Sequence, residues 1–111
     1  MRDKIISYMG FAKKSGNLVS GSNTCIFSIK KKKVRLLLIT EDASENTKKK
    51  MTHEAESGNV PVRIFGESEK LSRAVGESGR TVFGITDGNF ARVIDEEIRK
   101  GREQDKEDQR G

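Results

Sequence analysis

Residues 34–40, Val-Arg-Leu-Leu-Leu-Ile-Thr, constrain the fold more than any other segment. The run reads as a strand with apolar side chains on both faces. Such a strand has to lie inside a sheet, with helices covering it above and below. The remaining sequence supplies those helices in alternation with further strands.

Asp3 can cap a first helix whose buried face is Ile5, Tyr8, Met9 and Ala12, spaced for a 3.6-residue period and ended by Gly16. A short strand follows at 18–20. Gly21-Ser22-Asn23 then opens a second helix with Cys25, Ile26 and Ile29 inward, and the lysines at 30–33 form its C-terminal end. After the central strand, residues 42–45 (Asp-Ala-Ser-Glu) have capping-box spacing. They start a third helix with Thr47, Met51 and Ala55 inward, ended by Gly58. Residues 60–65 form a third strand, its Pro61 near the start, where a missing N–H is tolerated. Ser68 caps a short helix through Leu71, Ala74 and Val75, residues 80–86 form the fourth strand, and Asp87 caps a last helix through Phe90, Ile94 and Ile98. This alternation predicts a single α/β domain over residues 1–99, a sheet with helices on both faces.

The chain has 111 residues, of which only 32% are hydrophobic and 35% charged. A compact core needs more apolar material than that average, so a charged piece must lie outside it. Residues 100–111 have no apolar side chain and mix both charge signs. They are expected to be a charged flexible tail, a frayed extension of the last helix.

Twenty-two Lys and Arg oppose seventeen Asp and Glu, for a net charge of +5 and a pI near 9.5. A basic balance favours polyanionic partners through counterion release. The lysines cluster at 13–14, 30–33 (followed by Arg35) and 48–50. Any one cluster can equally be a solvated helix end, since cations favour helix C-termini. A single cysteine excludes an internal disulfide and a zinc site built from several thiolates. No apolar run approaches the roughly 20 residues of a membrane span, and no signal-peptide pattern opens the chain. A cytoplasmic monomer without a membrane partner is expected.

Catalytic candidates are few. His53 is the only histidine, with no second histidine or cysteine positioned to build a site with it. Cys25 falls on an apolar helix face, where a thiol acts as a small core hydrophobe. Glu41 and Asp42 have a simpler role as caps. Residues 16–22 carry the glycine spacing of a phosphate loop, but its lysine is missing and a helix precedes it where a strand is required. The residues therefore point away from an enzyme, and imply neither cofactor nor metal.

A binding site has better candidates. Loops at the C-terminal ends of parallel strands gather on one sheet edge. If the first two strands are parallel, Gly21, Ser22 and Asn23 meet residues 42–46 there. Both segments are helix N-termini, which offer unpaired N–H groups and partial positive charge to an anion. The Asn23 amide can donate and accept together, as the edge of a base requires. Lys48 lies one turn further on, placed for a phosphate. The plain alternative is that Gly21-Ser22-Asn23 is an ordinary helix cap.

Several segments together resemble a known family. They are 10–16 (Gly-Phe-Ala-Lys-Lys-Ser-Gly), 18–21, and 36–50 with its Glu-Asp-Ala-Ser-Glu-Asn-Thr-Lys run. Val60-Pro61, the helix at 71–76 and Ile85-Thr86-Asp87 with Phe90-Ala91 complete the set. On these residues the chain is similar to the kink-turn-binding ribosomal protein family, in its bacterial YlxQ-type branch, from about Lys4 to Ile98. The resemblance implies a three-layer α/β/α sandwich with a four-stranded mixed sheet whose last strand is antiparallel. It also implies that the second helix enters the widened groove of a kinked, structured RNA by its N-terminus, ribosomal RNA being one source. The family motif there, Gly-x-Asn-Glu-x-x-Lys, falls on residues 21–27. Gly21 and Asn23 match it, whereas Thr24 replaces the acidic acceptor for a guanine amino group and Phe27 replaces the lysine. The loop that closes over a flipped nucleotide in the family falls on 76–80, with Ser78, Gly79 and Arg80, and is polar here. Lys31 is assigned a phosphate. The competing reading is a protein-interaction module that keeps the fold without specific RNA binding and uses Phe27 as an apolar anchor.

Overall fold

The computed structural model describes the backbone of residues 2–110 and the side chains of residues 4–101. The order of elements is α1 (Arg2–Lys14), β1 (Leu18–Ser20), α2 (Ser22–Lys30), β2 (Leu36–Ile39), α3 (Glu45–Ser57), β3 (Val62–Ile64), α4 (Ser68–Ala74), β4 (Val82–Ile85) and α5 (Gly88–Arg110). The four-stranded sheet runs β1-β4-β2-β3, with β4 antiparallel to both β1 and β2, and β3 parallel to β2. β1, β2 and β3 therefore point the same way and only β4 is reversed, which is the mixed sheet expected.

β2 explains the layering. Leu36 and Leu38 enter one apolar cluster with Ile5, Met9, Leu71 and Ile94, from α1, α4 and α5. Leu37 and Ile39 enter another with Cys25, Ile29, Met51 and Ala55, from α2 and α3. Successive side chains of a strand point to opposite faces, so one buried strand serves both cores. β4 repeats the device, with Phe83 and Ile85 on the first side and Val82 on the second. Its Gly84 is buried on the α2 side, where a Cβ would lie 3.1 Å from Val19 Cγ2 and 3.5 Å from Cys25 Sγ. The missing side chain lets α2 lie close on the sheet and fixes its height there. A three-layer α/β/α sandwich results.

The expected elements are all present, with shorter strands and altered caps. The central strand keeps only Leu36–Ile39 of 34–40, the third Val62–Ile64 of 60–65, and the fourth Val82–Ile85 of 80–86. Asp87 caps α5, accepting from Phe90 N–H at 2.9 Å. Two other expected caps are corrected. α3 is capped by Ser44, whose hydroxyl accepts from Thr47 N–H at 3.1 Å, and not by Asp42. Asp42 instead accepts from Ser68 N–H at 3.1 Å, joining the start of α4 to the loop after β2. α4 has Glu67 at its cap position, with no capping side chain, and the Ser68 hydroxyl donates to the Arg80 carbonyl at 2.9 Å. The first helix already includes Asp3, whose side chain lies outside the described residues. The helical backbone of α5 reaches Arg110, and the side chains of the expected tail from residue 102 onward lie outside the described residues.

Candidate nucleic-acid interface

Because β1 and β2 point the same way, their C-terminal ends share a sheet edge with the start of the reversed β4. Gly21 leaves β1, residues 40–44 leave β2, Gly66 follows β3, and residues 76–81 lead into β4. Short hydrogen bonds tie these segments together. Gly21 N–H donates to Val82 O at 2.9 Å, Thr40 N–H to Thr81 O at 2.9 Å and Glu41 N–H to Gly66 O at 2.8 Å. Ser72, buried on α4, grips the Arg80 peptide from both sides, accepting from its N–H at 2.9 Å and donating to its carbonyl at 3.0 Å. Arg80 therefore projects from a braced backbone.

Gly21 has φ 94 and ψ 145, a region open essentially to glycine, and this turn swings the chain from β1 into α2. A Cβ at Gly21 would stand 3.0 Å from Arg80 Nη1, so the guanidinium lies against the first turn of α2. No side chain caps that turn and no acidic residue lies in it. The first intrahelical bond is Cys25 N–H to Gly21 O at 3.0 Å. The N–H groups of Ser22, Asn23 and Thr24 have no acceptor among the described residues. Asn23 and Thr24 are exposed, and the Asn23 amide likewise has no partner there. Asn23 is not the cap: Gly21 holds that position, without a side-chain hydrogen bond.

The electrostatics at this point are unusual. A helix N-terminus carries roughly half a positive charge, and a cation beside it is disfavoured by about as much as an anion is favoured, 0.3–1 kcal/mol. Arg80 nevertheless sits there. Glu77 partly balances it, with Oε2 3.7 Å from Arg80 Nη2 and Oε1 3.7 Å from Lys13 Nζ. Neither Glu77 nor Lys13 was singled out as a site residue by the sequence. The lysine pair at 13–14 was visible as a cluster, but no spacing rule links it to residue 77, because the fold alone joins them.

The other expected residues divide clearly. Ser78 and Gly79 are exposed in the loop beside Arg80, above a cavity of about 390 Å³ that Asp42, Glu69 and Glu77 also line. Those carboxylates make the cavity a poor phosphate site. Asp42 is held below the usual carboxylate range. The Thr40 hydroxyl, near it though outside strict hydrogen-bond geometry, has the largest influence, joined by Ser68 N–H and Lys48. Lys48 is tied down, donating to Glu41 O at 2.8 Å and pairing with Glu45 at 3.6 Å. Phe27 is 62% exposed one turn along α2 from Asn23, and Lys31 Nζ lies 5.1 Å from its ring centroid. Lys31 stands at the far end of α2, roughly 12 Å along the axis from Asn23 at 1.5 Å per residue.

Of the catalytic candidates of the sequence, Glu41 and Asp42 lie on this edge as ties between its loops, and the other two, Cys25 and His53, add no chemistry to it. Cys25 is buried, and burial pushes its thiol up to about 12, so it stays protonated and inert. His53 is exposed on α3. Among the described residues no cluster of His, Cys, Asp or Glu could hold a metal ion, and no helix is long and apolar enough to cross a membrane.

The chain is similar in sequence and fold to known proteins. The model of the ribosomal protein L7Ae/L30e/S12e/Gadd45 family matches residues 3–94. RNA-binding protein YlxQ of Enterococcus faecium is 36% identical over 98 residues, covering 87% of this chain and 93% of that protein. RNA-binding protein YlxQ of Bacillus subtilis (strain 168) is 36% identical over 86 residues, covering 78% of this chain and 86% of its own. Among solved structures, a Bacillus halodurans C protein of unknown function superposes with a TM-score of 0.78 at 31% identity, over 82% of this chain and 92% of that one. The Giardia lamblia 15.5kD RNA binding protein shares the fold, with a TM-score of 0.70 at 20% identity over 86% and 84%.

Proposed function

Since this chain belongs to the ribosomal protein L7Ae/L30e/S12e/Gadd45 family and is 36% identical to two RNA-binding YlxQ proteins, we propose that it is a non-enzymatic, cytoplasmic RNA-binding protein of the ribosomal type. It takes structured, kink-turn-like RNA at the N-terminus of α2. The observation that carries this reading is the open start of α2 with the Arg80 guanidinium set against it. Unpaired N–H groups, the positive helix end and a braced arginine converge on one spot, an arrangement that a phosphate relieves. Asn23 adds a base-reading amide beside that phosphate. Thr24 cannot accept from a guanine amino group as a carboxylate would, so discrimination rests more heavily on Asn23. The protein acts as a monomer through the RNA-binding domain of residues 1–99.

A second reading has one observation in its favour, the exposure of Phe27, which suits an apolar anchor for another protein. One purification separates the two. With no tryptophan and one tyrosine, the protein absorbs weakly at 280 nm, so bound nucleic acid changes its absorbance ratio strongly. Protein purified at low salt is expected to carry structured RNA, to lose it at high salt, and to crosslink in cells to a defined set of RNAs. Protein free of nucleic acid at low salt, with no RNA crosslinks, would favour the protein-interaction reading.

A further inference from the structure

α2 spans the sheet from one edge to the other, about 13 Å at 1.5 Å per residue. At the far edge its C-terminus and that of α3 meet the N-terminal ends of β2 and β3. An open cleft of about 740 Å³ lies there, lined by Lys30, Lys32, Arg35, Asn59 and one acidic residue, Glu54, among others. Lys31 and Lys33 adjoin it, and all the cations at 30–33 and 35 are exposed. None of these five neighbouring cations pairs with a carboxylate among the described residues, a lack shared singly by Lys14 and Lys70 and by the pair Lys49–Lys50, whereas Lys13, Lys48, Arg63, Arg80 and Lys100 each do.

Helix-end electrostatics do not account for this cluster. Favourable dipole interactions fade beyond the last turn, and Lys32, Lys33 and Arg35 lie past the end of α2. The carbonyls of that end are already closed. Lys32 N–H donates to Ile29 O at 2.9 Å and Lys33 N–H to Ser28 O at 3.0 Å, a Schellman pair. α3 closes in the same way, with Asn59 N–H on Glu56 O at 3.1 Å and Val60 N–H on Ala55 O at 2.8 Å. Both motifs need a left-handed residue, and glycine stands at neither position. Asn59 has φ 57, and asparagine tolerates that region. Lys32 has φ 61, and lysine does not tolerate it as asparagine does. Its side chain is thus kept at a conformational cost with no partner inside the fold to compensate. Strain of this kind is an observation from which function can be inferred.

We infer that this far edge is a second RNA contact, taking the phosphodiester backbone of a second segment of the bound RNA through Lys32, Lys33 and Arg35. The inference rests on the proposed function at the near edge. The contact is sequence-neutral, because lysine ammonium groups read charge and not base edges. The protein would thereby hold two RNA segments on opposite edges of one sheet.

The test uses the full chain, a kink-turn RNA and a plain 16-base-pair RNA duplex. Lys32→Gly relaxes the left-handed residue and is expected to raise the thermal midpoint by about 4–8 °C while weakening binding to both RNAs. Lys32→Gly combined with Lys33→Gln and Arg35→Gln should lower the slope of log affinity against log salt by about 2–3 for both RNAs. Arg80→Gln reports separately on the near edge. If Arg80→Gln weakens binding but the far-edge variants keep wild-type affinity and slope, the second contact is refuted and the near-edge reading stands. If the wild-type protein binds neither RNA, both fall.

Discussion

α2 and α3 begin at the same sheet edge, each after a strand pointing the same way, yet their first turns are built oppositely. α3 is closed: the Ser44 hydroxyl accepts from Thr47 N–H, and Glu45 places a negative charge in the first turn. α2 is open: glycine stands at its cap, no acid follows, and a guanidinium lies against it. The backbone demands at the two ends are alike, since every α-helix leaves its first N–H groups without internal partners. Side-chain choice alone decides whether those groups serve the fold or remain for a ligand. A chain that caps one helix and leaves its neighbour open gives one end to stability and, in the proposed function, keeps the other for a ligand.

The largest expected effect comes from forcing a side chain into the open end. Gly21→Ala puts a Cβ at φ 94 and 3.0 Å from Arg80 Nη1. It should cost about 1–3 kcal/mol of stability and displace Arg80, so that RNA affinity falls as well. Denaturant unfolding and RNA titration measure both, and a variant unchanged in both would mean that the Gly21 turn is not required. Ser44→Ala removes the cap of the closed end and should cost about 1 kcal/mol, a fall in thermal midpoint of about 4–8 °C. RNA affinity should not change. A loss of affinity there without a loss of stability would reverse the division of labour between the two helix ends.

The smallest effect concerns Asp42, which fastens α4 to the edge. Its carboxyl is held low by Thr40, Ser68 and Lys48, so its contribution is present in full above the ordinary value of about 3.9. That contribution is lost as pH falls through the lower folded value. The thermal midpoint of Asp42→Asn should therefore lie slightly below wild type at pH 6, and the gap should close as pH drops below about 4. A gap of constant size down to pH 2 would show that the Asp42 charge plays no part.

Much of this was legible in the sequence, and the failures have physical reasons. β1 was placed at Leu18–Ser20 because Gly16 and Gly21 bound it on both sides. The central strand was found by its apolar content but drawn too long, because Val34 and Thr40 are as buried as its core yet lie outside the paired ladder. The capping box at 42–45 failed because Asp42 is recruited by a residue 26 positions away. Local spacing contains no trace of such a contact. The residues alone brought Gly21, Ser22 and Asn23 to the sheet edge and the family resemblance added Arg80, but the approach of Arg80 to Gly21, the Ser72 brace and the Glu77 pairings are products of tertiary packing. The strain at Lys32 was equally hidden, since a lysine run gives no sign of which member turns left-handed.

The central claim is that the open end of α2 reads RNA through Asn23. Asn23→Ala tests it most directly, with a kink-turn RNA compared against a duplex whose tandem G·A pairs are replaced by Watson–Crick pairs. The Asn23 side chain makes no hydrogen bond among the described residues, so the thermal midpoint should stay at the wild-type value. Affinity for the kink-turn should fall by about 1–3 kcal/mol, the worth of a well-placed base contact, while affinity for the control duplex holds. Equal weakening of both RNAs, or of neither, would contradict a base-reading role for Asn23 and leave α2 as a general anion-binding helix end.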